Sequence, residues 1–197
     1  MVVLASASPR RRALLKQVGL SFEVQASDVD ETIPEDGVDP ERFCKELALR
    51  KAQAVASQLQ EAIVIGADTV VVRGDKVLGK PVDKEDARRM LRALRGKTHR
   101  VITGVAVVNS DTGRYLVDSE VTRVKMRPYS DSEISAYLAT GEPMDKAGAY
   151  GIQGRGALLV EGIHGCYYNV VGLPLVKVAR MLAQFHVQVW SQPAPER

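Results

Sequence analysis

Long apolar runs are missing from this 197-residue chain. No stretch of about 18 apolar residues occurs, so no transmembrane helix is expected. Cysteine is scarce: Cys44 and Cys166 form no CxxC pair and read as buried or incidental thiols, which argues against a disulfide framework. The three histidines, His99, His164 and His186, lie too far apart in sequence to suggest a zinc site. Aromatic residues are only 5% and the net charge is +3, too little to argue for nucleic acid. The start of the chain goes directly into Val2-Val3-Leu4-Ala5 with no basic region before a longer apolar one. It does not read as a signal peptide, and a cytoplasmic location is the expectation. What remains is an apolar share of 45% and a charged share of 26%, the composition of a globular protein with a real core.

One stretch stands out against that background. Residues 63–72, IVIGADTVVV, form an apolar strand-like run with a carboxylate near its middle. Strand alternation places Asp68 on one face with Val64, Gly66, Val70 and Val72. An unpartnered carboxylate there would cost several kcal/mol, on the order of the effective penalty per buried ion. It must therefore meet a cation, a metal, donated hydrogen bonds or water. Gly66, on the same face, is expected to leave room for a ligand. A structural ion pair and a ligand-facing carboxylate both satisfy this pattern.

The chain before that run supplies an anion site. Residues 2–5 read as a buried strand that leads through Ser6-Ala7-Ser8 into a helix over about 9–18, with Ser8 as N-cap, Pro9 at N1 and Gly19 beyond the end. Arg10, Arg11 and Arg12 crowd the first turn, where the macrodipole disfavours cations. A bound polyanion would resolve the conflict; a solvated basic turn is the plainer alternative. A second strand is expected over 22–25. An acidic loop follows with Asp28, Asp30, Glu31, Pro34, Glu35, Asp36 and Gly37, where Asp30-Glu31 could offer an oxygen ligand to Mg²⁺. Asp39-Pro40 then opens a helix expected to reach about Gln60, with Lys51 near the border of its apolar face.

Beyond the central run, 73–75 reads as a turn and 76–78 as its hairpin partner. Lys80 follows in Gly79-Lys80-Pro81, where the proline holds it extended. Asp83 caps a helix over 84–95, and 99–109 with 114–127 form a long hairpin. Ser130-Asp131-Ser132-Glu133 is a capping box for a helix through Ala139. Residues 142–156 are rich in glycine, with Lys146, Gln153 and Arg155 between the glycines, and match neither the Walker A nor the dinucleotide pattern. The interleaved donors favour contact with a ligand. A strand over 157–163 and a helix over 173–185 complete the chain, followed by a frayed tail at 192–197.

Ser8, Arg10, Arg11, Lys51 and Lys80 as cations and donors, with Asp68 and Glu31 as acids, suit a polyphosphate. No Ser-His-Asp or Cys-His arrangement offers a covalent nucleophile, so direct attack of water on phosphorus is the simplest chemistry.

Eight motifs in order carry a family resemblance: ASASPRR, DVDE, RKA, GADTVV, LGKP, GKTHRVITGV, GEPMDKAGAYGIQG and NVVGLP. Together they resemble the Maf family of nucleoside triphosphate pyrophosphatases, from about Val2 to Leu182. Thr69, Gln153 and the arginine pair after Pro9 are similar to the branch acting on dTTP and UTP. The resemblance implies an α/β fold with a mixed, twisted central sheet flanked by helices, a single domain over 1–191 with two lobes and a deep cleft, as in ITPase-like proteins. It implies hydrolysis between the α and β phosphates to a nucleoside monophosphate and pyrophosphate, with a divalent cation (Mg²⁺, Mn²⁺ or Co²⁺), in a homodimer. Asp68 would be the proton acceptor for water. Ser8, Arg10, Arg11, Lys51 and Lys80 would hold the substrate, Arg10, Arg11, Thr69 and Gln153 would set base preference, and Glu31 with Asp68 would hold metal. Two other functions remain open: a non-catalytic nucleotide-binding regulator of cell division, and a nucleic-acid binder using residues 10–12 and 125–127. The chain has no known nucleic-acid motif to support the latter. One tension is visible: an ideal strand points Asp68 and Thr69 to opposite faces, so both can serve one nucleotide only if the strand bends, bulges or ends near there.

Overall fold

The computed structural model describes residues 1–32 and 39–191. Pro34, Glu35, Asp36 and Gly37 of the acidic loop, and the tail from 192, lie outside the described residues. The elements run β1 (Val2–Leu4), α1 (Pro9–Gln17), β2 (Glu23–Val24), α2 (Pro40–Ala56), β3 (Ile63–Arg73), β4 (Lys76–Leu78), α3 (Lys84–Leu94), β5 (Thr98–Asn109), β6 (Tyr115–Met126), α4 (Asp131–Ala139), β7 (Val160–His164), α5 (Tyr167–Val171) and α6 (Leu175–Ala183). Short 3-10 turns occupy Glu142–Asp145, Ala147–Ala149, Gly154–Leu159 and Val189–Ser191.

Among the described residues the strands form one mixed sheet in the order β2-β1-β3-β5-β6-β7, with β4 also paired to β3. β1 is parallel to β2 and to β3, whereas β3 with β4, and β6 with β7, are antiparallel. Asn109 N donates to Arg114 O at 2.9 Å, closing the β5–β6 hairpin. The sequence expectation of a mixed sheet flanked by helices is met. No described helix is long and apolar enough to cross a membrane.

The chain divides into two compact units. The first comprises Met1–Asp68, Thr103–Glu120 and Gly172–Arg197, and the second Thr69–Ile102 and Val121–Val171. In the first, α2 packs its stripe of Ala48, Ala52, Val55 and Ala56 on Val3, Ala5, Val64, Ala106 and Val108. The stripe follows the i, i+3, i+4 rule of a helix that covers a sheet. Two glycines set how close it comes. A Cβ on Gly66 would lie 2.2 Å from the Ala48 carbonyl oxygen, and one on Gly104 would lie 2.2 Å from that of Cys44. Gly66 therefore makes room for a helix, not for a ligand, which corrects the expectation from sequence.

In the second unit α3 and α4 cover Val71, Val101, Val124 and Met126 with Leu91, Leu94, Ile134, Tyr137 and Leu138. Tyr129 closes this core by donating its hydroxyl to Leu91 O at 2.7 Å. Burying each such aliphatic side chain contributes about 1.5–3 kcal/mol.

Three boundaries differ from the sequence reading. α2 ends at Ala56 because Gln58 N and Leu59 N bond back three residues, to Val55 O and Ala56 O, and tighten the last turn. β7 begins at Val160, since the preceding Gly154–Leu159 segment coils as 3-10 turns around the Glu142 carboxylate. α6 begins at Leu175, because Pro174 keeps Leu173 out of the helical region. α5 has no counterpart in the sequence reading. β3 does not end at Asp68-Thr69, since it runs as one strand from Ile63 to Arg73.

Candidate active site

The first unit gathers six of the residues singled out from sequence. The Leu4↔Ile65 pairing ends the parallel ladder of β1 with β3, and Asp68 follows three residues later on β3. The chain leaving β1 enters α1 at this same carboxyl end of the parallel strands, the end at which open α/β sheets bind ligands.

α1 starts as expected: Ser8 Oγ accepts from Arg11 N at 3.4 Å, Pro9 stands in the first turn, and no acidic side chain is present there. Arg11 does not point to bulk solvent. Its Nε donates to Gly172 O at 2.8 Å and its Nη1 to Ser6 Oγ at 3.1 Å. Burial pushes the Arg11 guanidinium below its ordinary pKa, the carboxylates of Asp68 and Glu31 oppose that shift, and neighbouring Arg10 adds to it. Ser6, itself buried, and the Gly172 carbonyl are site-supporting groups that the sequence reading missed. Ser6 could have been found as the residue two before the N-cap in a run of small residues. A carbonyl 161 positions away from Arg11 leaves no local signal.

Lys51 links the two acids of the site. On α2 it belongs to the buried series Cys44, Leu47, Ala48, Lys51, Ala52, Val55, within the apolar stripe instead of at its border. Its side chain is 5% exposed, and Nζ lies 2.7 Å from Asp68 Oδ1 and 2.6 Å from Glu31 Oε1. The compensation that Asp68 needs thus comes from within the protein. Removing one member of a buried ion pair costs about 3–5 kcal/mol, because the other is left uncompensated. The close docking that Gly66 and Gly104 permit is what brings Lys51 down onto β3.

Thr69, Lys80 and Gln153 belong to the second unit. Thr69 is half-buried on β3, and Lys80 and Gln153 are exposed. Gly79, before Lys80, is pinned through its carbonyl, which accepts from Gly148 N at 3.0 Å. The glycines of 148–156 approach their own surroundings. Gly148 has φ +68 and would set a Cβ 2.9 Å from Val71 Cγ2, and a Cβ on Gly156 would meet Gly151 O at 2.2 Å. Glu142 organises this turn: it accepts from Tyr137 Oη at 3.0 Å, Arg155 N at 3.0 Å and Gly156 N at 3.1 Å. Lys146 pairs with Asp145 at 2.6 Å. Close packing is thus one use of these glycines, and Gln153 stays exposed among them.

Fold and site together define a mixed α/β protein whose charged centre lies at the carboxyl end of its parallel strands, beside an arginine-rich helix start. The chain belongs to the Maf family: the family model described as Maf-like protein matches residues 1–185. Three relatives, each called "dTTP/UTP pyrophosphatase", match over nearly their full length. That of Pelotomaculum thermopropionicum is 54% identical, covering 95% of this chain and 98% of its own. The Moorella thermoacetica protein is 55% identical, covering 97% and 98%. The Desulforamulus reducens protein is 50% identical, covering 95% and 98%.

Proposed function

We propose that this chain is a nucleoside triphosphate pyrophosphatase acting on dTTP and UTP, with cleavage between the α and β phosphates. Relatives at about half identity carry that activity in their names. The observation that supports it most is the Glu31–Lys51–Asp68 triad beside the start of α1. Such a centre offers a buried cation and a carboxylate within one reaction volume.

In this reading a water oxygen attacks the α phosphorus, the bond from that phosphorus to the bridging oxygen breaks, and pyrophosphate leaves with the electron pair. Asp68 takes the proton from the water. Ser8, Arg10, Arg11, Lys51 and Lys80 bind the phosphates, offsetting charge that moves toward the leaving group. Arg11 is held by Ser6 and Gly172, so its guanidinium is fixed in place before the substrate arrives. Arg10 and Arg11 with Thr69 and Gln153 select the base.

Glu31 and Asp68 are oxygen donors of the type that Mg²⁺, Mn²⁺ or Co²⁺ takes. Two carboxylates already bridged by an ammonium do not make a metal cage, and among the described residues no group of three or more His, Cys, Asp or Glu could hold an ion.

The test is a screen for pyrophosphate release over the nucleoside triphosphates with each of the three cations. Preference for dTTP and UTP is the expected result. A preference for purine triphosphates would overturn the substrate assignment, and nucleotide binding without pyrophosphate release would favour a regulatory protein.

A further inference from the structure

We propose that Lys51 is the resident counter-ion of the Glu31–Asp68 pair, that it keeps free divalent cations out, and that metal enters only as a chelate of the nucleotide's phosphates. The proposal rests on the function above for the identity of the chelate, and on geometry for the rest.

The Lys51 ammonium lies within 2.7 Å of a carboxylate oxygen on each side, so it already occupies the place between those two oxygens. Lys51 is anchored as well as close. Its helix is locked to β3 at Gly66 and to β5 at Gly104, where the helix carbonyls already fill the space a side chain would need. A hydrated divalent ion arriving alone would have to displace a buried ammonium from both carboxylates. Among the described residues it would gain two protein ligands in return, and small hard cations commonly rely on substrate phosphates to complete such a sphere. A triphosphate changes the balance in two ways. It brings phosphate oxygens to the metal, and it offers Lys51 a new anion as it leaves the carboxylates. Glu31, whose side chain is 46% exposed, is the partner able to swing without unpacking the core.

Equilibrium dialysis of the whole protein against Mn²⁺, with metal and nucleotide both assayed, tests this directly. Wild type without nucleotide should bind Mn²⁺ at least about ten-fold more weakly than Lys51→Met, in which the carboxylate pair is exposed to metal. Glu31→Gln added to Lys51→Met should abolish that gain. Mn²⁺ should also raise the melting temperature of Lys51→Met and not that of wild type. Lys51→Gln serves the same purpose should the methionine variant fail to fold. Wild type given dTTP with a methylene between the α and β phosphorus should retain one Mn²⁺ for each analogue retained. Tight Mn²⁺ binding by wild type alone, equal affinity in wild type and the Lys51 variants, or retained analogue without Mn²⁺ would each overturn the proposal. Failure of the analogue itself to bind would instead strike the proposed function, and the comparison of the free proteins would stand.

Discussion

Gly66 lies so close under α2 that a Cβ there would be 2.2 Å from the Ala48 carbonyl oxygen and 2.9 Å from Ala52 Cβ. Neither neighbour can swing away, as one is backbone and the other a methyl on a helix locked into the core. Gly66→Ala is therefore expected to cost about 1–3 kcal/mol or more by overpacking. It should also reduce activity, because lifting α2 moves Lys51, which binds the phosphates, out of its place. Urea denaturation of the variant beside Gly162→Ala, where a Cβ meets nothing within 4 Å, isolates the effect. The control should stay within about 0.5 kcal/mol of wild type.

Asp68→Asn removes the proton acceptor while keeping the shape of the side chain. Turnover is expected to fall by about 10²–10⁴-fold, the range for losing a general base. Lys51 keeps Glu31 as a partner at 2.6 Å, so the fold should persist. Steady-state kinetics beside a melting curve separates the two effects, and a variant with wild-type turnover would remove Asp68 from the chemistry.

His99 makes stability depend on pH. It is buried, its Nε2 meets Tyr150 Oη at 2.7 Å, and its Nδ1 has no hydrogen-bond partner among the described residues. Burial pushes the imidazole down from 6.5 to about 4. The folded protein therefore keeps His99 neutral where the unfolded chain would take up a proton. Its contribution is complete above about pH 6.5 and is lost as pH falls toward 4, by up to about 3 kcal/mol. Chemical denaturation from pH 7.5 to 4 should show this slope, and His99→Gln should flatten it.

Glu142 holds the turn that precedes β7. Glu142→Ala leaves Tyr137 Oη, Arg155 N and Gly156 N without their acceptor, a loss of about 2–3 kcal/mol. Hydrogen exchange should rise at 151–159 more than in α3, and equal protection in both proteins would show that the turn holds without the carboxylate.

Local chemistry made much of the fold legible. Ser8-Pro9, Asp39-Pro40, Asp83 and the Ser130–Glu133 box each start a helix where the sequence placed one, because a cap is decided within four residues. Asp68 was conspicuous for the same reason, as a carboxylate in an apolar strand. Its partner was half visible. A lysine at the fourth place of the 44-47-48-51-52-55 stripe signals a buried cation, but nothing in sequence says which acid it meets. Gly66 was misread because the side it spares is occupied by a helix 14 to 18 residues earlier in the chain. Residues 157–159, the end of the Gly154–Leu159 coil, were misread as strand because the organiser of that coil, Glu142, is a residue that most often simply faces water. The motifs resembling the Maf family pointed to the family that the family model also matches.

Hydrolysis of dTTP in water enriched in ¹⁸O tests the central claim most directly, with mass spectrometry of both products. Attack of water at the α phosphorus requires one ¹⁸O in dTMP and none in pyrophosphate. Label in pyrophosphate, or release of single phosphate in its place, would contradict the account.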